Sequence, residues 1–225
     1  MNSKFKFPLN KETLQTVMQE IKILTYGQAS EILQTATERT TRELGGIAEN
    51  PVPDDKTLLI VAGPNGSGKS TAISQLIDQG ACPNYYICPD YLLEGGQKDE
   101  QAYLRAMRRA GILRMNAMER GASFTMETII SSTGKLDFLN EARNKGYFIA
   151  VLYIITSNPE INIRRVLMRA SQGGHNVPPE KIVARYERCL SIMPRVVKLA
   201  DLVMICDNSV DGRIPKQVCN QIASE

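Results

Sequence analysis

Residues 61 to 71 read VAGPNGSGKST and follow directly on the apolar run TLLI at positions 57 to 60. The pattern is a glycine, four residues, then Gly-Lys-Ser: Gly63, Pro64, Asn65, Gly66, Ser67, Gly68, Lys69 and Ser70, with Thr71 next. Gly66 and Gly68 lack a Cβ, so the chain can take positive φ there and turn its N–H groups inward around an anion. A helix starting near Lys69 adds unpaired N-terminal N–H groups and the positive end of its dipole. Lys69 is placed to reach the β and γ phosphates of a nucleoside triphosphate, and the Ser70 hydroxyl to ligate a bridging Mg²⁺. ATP and Mg²⁺ are therefore the expected cofactors. The context agrees, because the segment leaving the loop carries Ala72, Ile73, Leu76 and Ile77 on one helical face.

The rest of the chain reads as alternating strands and helices. Strands are expected at 85–90 (YYICPD), 123–129 (SFTMETI), 147–155 (YFIAVLYII) and 202–209 (LVMICDNS), besides the one entering the loop. Between them, residues 98–119 form a long basic helix with Leu104, Met107, Leu113 and Ala117, and Leu136, Phe138, Leu139 and Ala142 mark a second helix. Pro159 opens a third, with Ile163, Val166, Leu167 and Ala170 on one face, and Ile182, Tyr186, Cys189, Leu190 and Met193 mark a fourth. This order implies an α/β fold, a doubly wound parallel sheet of about five strands over residues 56–225. Upstream, Leu14, Val17, Met18, Ile21 and Leu24, then Ala29, Ile32, Leu33 and Ala36, give a helical pair, so residues 1–50 are expected as an N-terminal helical extension. That extension either packs on the main domain or engages a partner.

Composition narrows the function. A net charge of +3 is too small for a nucleic-acid coat, and no aromatic platform suits stacking on single strands. The five cysteines form no Cys-x-x-Cys pair and their odd number argues against a disulfide framework, so a reducing cytoplasm is the expected setting. No apolar run approaches the length of a membrane span.

In open parallel sheets ligands lie beyond the carboxyl ends of the strands, which selects the residues to weigh. Asp90, after the second strand, is a candidate to deprotonate an attacking hydroxyl or hold Mg²⁺, or else simply starts a turn. Glu127 and Thr128, ending the third strand, are candidates to grip a sugar or nucleoside, with helix capping as the competing role. Arg165 and Arg169 are four apart on one helix, so both guanidinium groups could face one polyphosphate or both could face solvent. Gly173 and Gly174 supply a flexible break of the kind a lid needs, and His175, the chain's one histidine, follows them. Asn208 either reads a base edge or belongs to a plain turn.

Taken in order, AGPNGSGKST, an Asp after the second strand, MET on the third, GYFIAVLYI, RRVLMRASQGGHNVP, IVARYERCL and ADLVMICDNS resemble the zeta-toxin family of P-loop kinases, especially its small Gly-Gly-His-x-Val-Pro members. The resemblance covers roughly residues 57–209. It implies ATP-dependent phosphoryl transfer to a hydroxyl of a small metabolite; the best-known family substrate is UDP-N-acetylglucosamine. By that likeness Asp90 matches the family base, Lys69 and Ser70 the phosphate and Mg²⁺ groups, Glu127 and Thr128 the acceptor wall, and Arg165 and Arg169 the arginines at the transferring phosphate. An antitoxin or other protein partner is the further expectation. A polynucleotide or nucleoside kinase and a nonenzymatic nucleotide-gated binding module are the alternatives. A transport-type ATPase is disfavoured, because the chain has no LSGGQ segment.

Overall fold

The computed structural model describes residues 34–36, 38, 56–83, 85–93, 99–174 and 176–211, and the backbone of 216–222. The elements are β1 (Thr57–Ala62), α1 (Lys69–Asp78), β2 (Tyr85–Ile87), a 3-10 turn (Pro89–Tyr91), α2 (Glu100–Glu119), β3 (Phe124–Thr128), α3 (Gly134–Asn144), β4 (Phe148–Ile155), α4 (Pro159–Ser171), α5 (Pro179–Leu199), β5 (Leu202–Asp207) and β6 (Lys216–Ile222). The sheet order is β2-β3-β1-β4-β5-β6. The five expected strands pair in parallel, and β6, which the sequence reading did not anticipate, runs antiparallel to β5 at the edge. β1 lies at the centre, and the chain crosses from β3 to β4 over it, so the topological switch falls at the end of β1, where the Gly-rich loop begins.

The continuous apolar runs of β1 and β4 are explained by burial on both faces. Leu58, Ile60, Ala62, Ile149, Val151 and Tyr153 point into one core, shared with α2, α3 and α5. Their neighbours Leu59, Val61, Ala150, Leu152 and Ile154 point into the other, shared with α1 through Ala72, Ile73 and Leu76. Of the apolar residues named on α2, only Leu113 and Ala117 face inward. The inward face is built on Ala102, Ala106, Ala110, Leu113 and Ala117, while Leu104 and Met107 are exposed. Alanines at four-residue spacing form their own helical stripe and let the helix lie close to the sheet, and the larger apolar residues fall on the opposite side. Leu167 of α4 is likewise exposed, whereas Val166 is buried.

Most of the expected N-terminal extension lies outside the described residues. Residues 34–36 and 38 are helical, and Ala36 packs against the α1-side core. The four described cysteines are free thiols. Among the described residues no helix is long and apolar enough to cross a membrane.

Candidate active site

The loop after β1 forms the expected cradle, and neighbouring elements fix its shape. Gly63 has φ 146°, and a Cβ there would stand 2.1 Å from the carbonyl oxygen of Ile154 on β4. Gly66 has φ 72°, and its Cβ would meet the Asn162 carbonyl oxygen at 2.5 Å. No larger residue fits either place, because the obstacle is backbone on the next strand or helix. Gly68 caps α1. The Pro64 carbonyl accepts from Ser67 N at 3.3 Å and from Lys69 Nζ at 2.8 Å. Lys69, expected to reach outward to phosphate, is itself buried and folded back on its loop.

Three side chains that the motif does not contain brace this loop. Asn162, wholly buried on α4, donates from Nδ2 to the Asn65 carbonyl at 2.5 Å and accepts from Thr156 Oγ1. Arg185 of α5 donates to Asn65 Oδ1 at 3.2 Å. Asn208 Nδ2 donates to the Ser67 carbonyl at 2.8 Å. Asn208, expected either to read a base edge or to sit in a plain turn, thus has one donor on the loop. Asn162→Ala would strand the Asn65 carbonyl, so we expect a loss of about 1–3 kcal/mol in urea unfolding with the m-value unchanged. An unchanged midpoint would mean the bond does not brace the loop.

Beneath the loop lies a buried polar cluster. Ser70 Oγ donates to the two carboxylate oxygens of Glu127 at 3.1 and 3.0 Å, Tyr86 OH donates to Glu127 Oε2 at 3.2 Å, and Lys69 Nζ is 4.0 Å from Glu127 Oε1. Burial raises the Glu127 carboxyl above its usual range and lowers the Lys69 ammonium, each opposed by the charge of the other. Glu127, expected on an acceptor wall, is thus in direct contact with Ser70 of the Gly-rich loop. The β1–β3 register explains this, since Val61 pairs with Glu127 and Ala62 with the buried Thr128.

The opposite wall comes from β2 and α4. Asp90 is exposed in the 3-10 turn after β2. Arg165 donates to Asp211 Oδ1 from Nε at 2.8 Å and Nη2 at 2.6 Å, and Arg164 pairs with the same carboxylate. These bonds hold the Asp211 carboxyl below its usual range. The Arg165 Nη1 atom is buried with no hydrogen-bond partner. Asp90, Lys69, Ser70, Thr71, Glu127, Thr128, Arg165 and Arg169 all line a single cleft of about 620 Å³. Gly174 lines it too, while His175 lies outside the described residues. The valine of the Gly-Gly-His-x-Val-Pro segment has a structural explanation: Val177 packs with Val166 and Ile182 in a small core of its own, anchoring the loop between α4 and α5.

Residues 97–212, a little over half of the chain, match the zeta toxin family profile. The chain belongs to the zeta-toxin family. The matched stretch begins after the Gly-rich loop, so the loop and the family match are separate observations. This zeta-toxin-family chain is 29% identical over 130 residues to an uncharacterised protein of Haemophilus influenzae, covering 57% of this chain and 91% of the relative. Its fold resembles a structure from the PezAT chromosomal toxin–antitoxin system of Streptococcus pneumoniae, with TM-score 0.53 and 16% identity over 89% of this chain and 83% of that one. It also resembles the AvrRxo1-ORF1:AvrRxo1-ORF2 complex solved with ATP, with TM-score 0.55 and 17% identity over 93% of this chain and 67% of that one. A candidate kinase from Chloroflexus aurantiacus aligns at TM-score 0.53 and 17% identity over 72% of this chain and 92% of its own.

Proposed function

We propose that the protein is a kinase that transfers the γ-phosphoryl group of ATP to a hydroxyl of a small metabolite, with a nucleotide sugar such as UDP-N-acetylglucosamine the first acceptor to test. The observation that carries this reading is the meeting, in one cleft, of a phosphate-loop lysine and serine, an exposed carboxylate at a strand end and two arginines from α4. Family membership supports it, and the solved relative with ATP agrees in fold. The cradle fits a polyphosphate, because Gly66 and Gly68 hold the positive φ that turns N–H groups inward and both Ser67 Oγ and Arg165 Nη1 are buried without protein partners. Ser70 Oγ and the Glu127 carboxylate, hydrogen-bonded to each other, form the oxygen-rich pair that Mg²⁺ prefers. When bound there, Mg²⁺ supplies neutralisation of charge on the phosphates.

The division of labour follows. Lys69 and the α1 N-terminus hold the donor phosphates, and Arg165 and Arg169 stabilise charge on the moving phosphoryl group. Asp90 orients the acceptor hydroxyl and takes its proton as the new P–O bond forms and the bond to the β-phosphate oxygen breaks. In a loose phosphoryl transfer the hydroxyl gains acidity late, so Asp90 acts mainly by aligning the nucleophile. The cytoplasm, which supplies ATP and keeps thiols reduced, is the proposed site of action, and an antitoxin-like protein is the proposed partner.

The decisive experiment incubates the protein with γ-labelled ATP and Mg²⁺ against nucleotide sugars, nucleosides, dinucleotides and oligonucleotides. One labelled small-molecule acceptor is expected. A labelled oligonucleotide 5′ end would make it a polynucleotide kinase, and nucleotide binding without transfer to any acceptor would leave a binding module. Asp90→Asn should keep nucleotide affinity and lower transfer by roughly 10² or more. If it lowers Mg²⁺-nucleotide affinity instead, Asp90 belongs to the metal site.

A further inference from the structure

The outer face of α2 carries a stripe that the fold does not use. Leu104, Arg108, Ile112 and Met115 recur at intervals of four, four and three, so they run down one side of the helix. Leu104 is 51% exposed, Ile112 60% and Met115 55%, and with Met107 they account for most of the large apolar side chains left exposed among the described residues. Met107 has an explanation, since it lines the cleft. The other three do not line it, and they lie away from the alanine stripe that packs on the sheet. Single exposed apolar residues are ordinary, but three aligned on one helix form a patch that calls for a partner.

A second observation falls in the middle of the stripe. Gly111 stands beside Ile112 in the interior of a 20-residue helix, where glycine is a weaker helix former than alanine. Nothing within the molecule requires it, because a Cβ built there meets no neighbouring element within 4 Å. What the missing side chain permits is close approach by a backbone from outside.

The charges along the stripe decide which backbone. Arg105 and Arg108 lie towards its N-terminal end and Glu119 at its C-terminal end, all three exposed. Among the described residues Arg108 and Glu119 enter no ion pair. In an antiparallel pair of α2 helices related by a two-fold axis between Gly111 and Ile112, Leu104 and Glu119 are equally far from the axis, so the arginines of each copy come level with the glutamate of the other. Leu104 of one copy then falls within one turn of Met115 of the other, Ile112 meets Ile112, and the two glycines let the backbones close. The N-terminal segment of the chain is a poorer occupant, because Ala36 joins the α1-side core, on the far face of the sheet from α2.

We infer that the outer face of α2 is a homodimer interface, in which two copies of this chain pair antiparallel through Leu104, Arg108, Gly111, Ile112, Met115 and Glu119. This stands apart from the kinase reading, since none of these residues lines the cleft. A single helix pair falls at or below the low end of the roughly 1,200–2,000 Å² buried in specific interfaces, so the dimer is a weak one with a micromolar dissociation constant.

Sedimentation equilibrium of the full chain, from low micromolar to several hundred micromolar, is the test. Wild type is expected to pass from monomer to dimer over that range. Ile112→Glu, at an exposed position, should weaken the dimer by about tenfold or more, as the loss of a central interface residue does. Gly111→Ala separates helix strength from docking: it should raise the thermal midpoint of the dilute monomer and still weaken the dimer, because the added methyl meets nothing within one copy. Arg108→Glu and Glu119→Arg should each weaken association and together restore it. These two residues are three turns apart on one helix, so the rescue can pass only between copies. Each variant should bind AMP-PNP as wild type does, and failure of wild type to bind it would sink the kinase reading and leave the interface standing. A wild type that stays monomeric throughout would overturn the inference and give the face to the N-terminal segment or a foreign helix. So would a dimer indifferent to Ile112→Glu and Gly111→Ala, or a double charge reversal that associates no better than either single one.

Discussion

Lys69→Ala is expected to abolish phosphoryl transfer while the protein stays folded. The lysine is the fixed positive charge in the cradle, and nothing else in the loop offers an ammonium to the donor phosphates. The structure adds a reason for the fold to survive that is not obvious for a buried residue. Lys69 Nζ bonds the Pro64 carbonyl, which keeps Ser67 N as a second donor after the change. Its other partner, Glu127, already has a raised carboxyl and retains Ser70 and Tyr86, so it can take up a proton rather than remain an isolated buried charge. The stability loss should therefore fall below the roughly 3–5 kcal/mol that follows breaking a buried ion pair outright. The measurements are turnover with labelled ATP and a urea melt. Wild-type turnover by folded Lys69→Ala would remove the triphosphate assignment, and a chain that no longer folds would show that Lys69 also holds the core.

Arg165→Ala and Arg169→Ala are each expected to lower kcat and kcat/KM together, by something on the order of 10³, the range of an arginine that meets charge only in the transition state. Arg165 is prepared for this role. Asp211 fixes Nε and Nη2, which leaves the buried Nη1 as the atom without a protein partner. A guanidinium held on one edge loses little freedom when its other edge engages a phosphoryl oxygen. Arg169, one turn further along α4, lines the same cleft and lowers the proton affinity of Lys69. Steady-state kinetics decide the matter: a rise in the KM for ATP with kcat intact would make these arginines ground-state ligands, and no change would return them to a solvated helix face.

The parts legible without coordinates were those whose physics is local. A strand, a Gly-rich turn and a helix N-terminus adjoin in the chain, so their joint chemistry is written in consecutive residues from Val61 to Thr71. The five parallel strands were also legible, β1 and β4 most plainly, because a strand buried on both faces is largely apolar. The edge strand β6 was missed: KQVCNQI is largely polar, so it gives no buried-strand signal. On α2 the inward stripe is hard to read because it is made mostly of alanine, which carries little hydrophobic signal.

The sequence by itself determined that this chain places a Gly-rich loop between a strand and a helix on a parallel sheet, since spacing and residue type suffice for that. Only the tertiary structure decided what surrounds the cradle. Ser70 meets Glu127 across 57 residues, Asn162 meets the Asn65 carbonyl across 97, and Arg165 meets Asp211 across 46. Such contacts arise where strand ends and loops from separate βα units converge on one edge of the sheet, and no periodicity in the chain records which of them will touch. The same convergence leaves Arg114 buried with its Nε lacking a hydrogen-bond partner, a fact about neighbours and hence invisible in a helix that reads simply as basic.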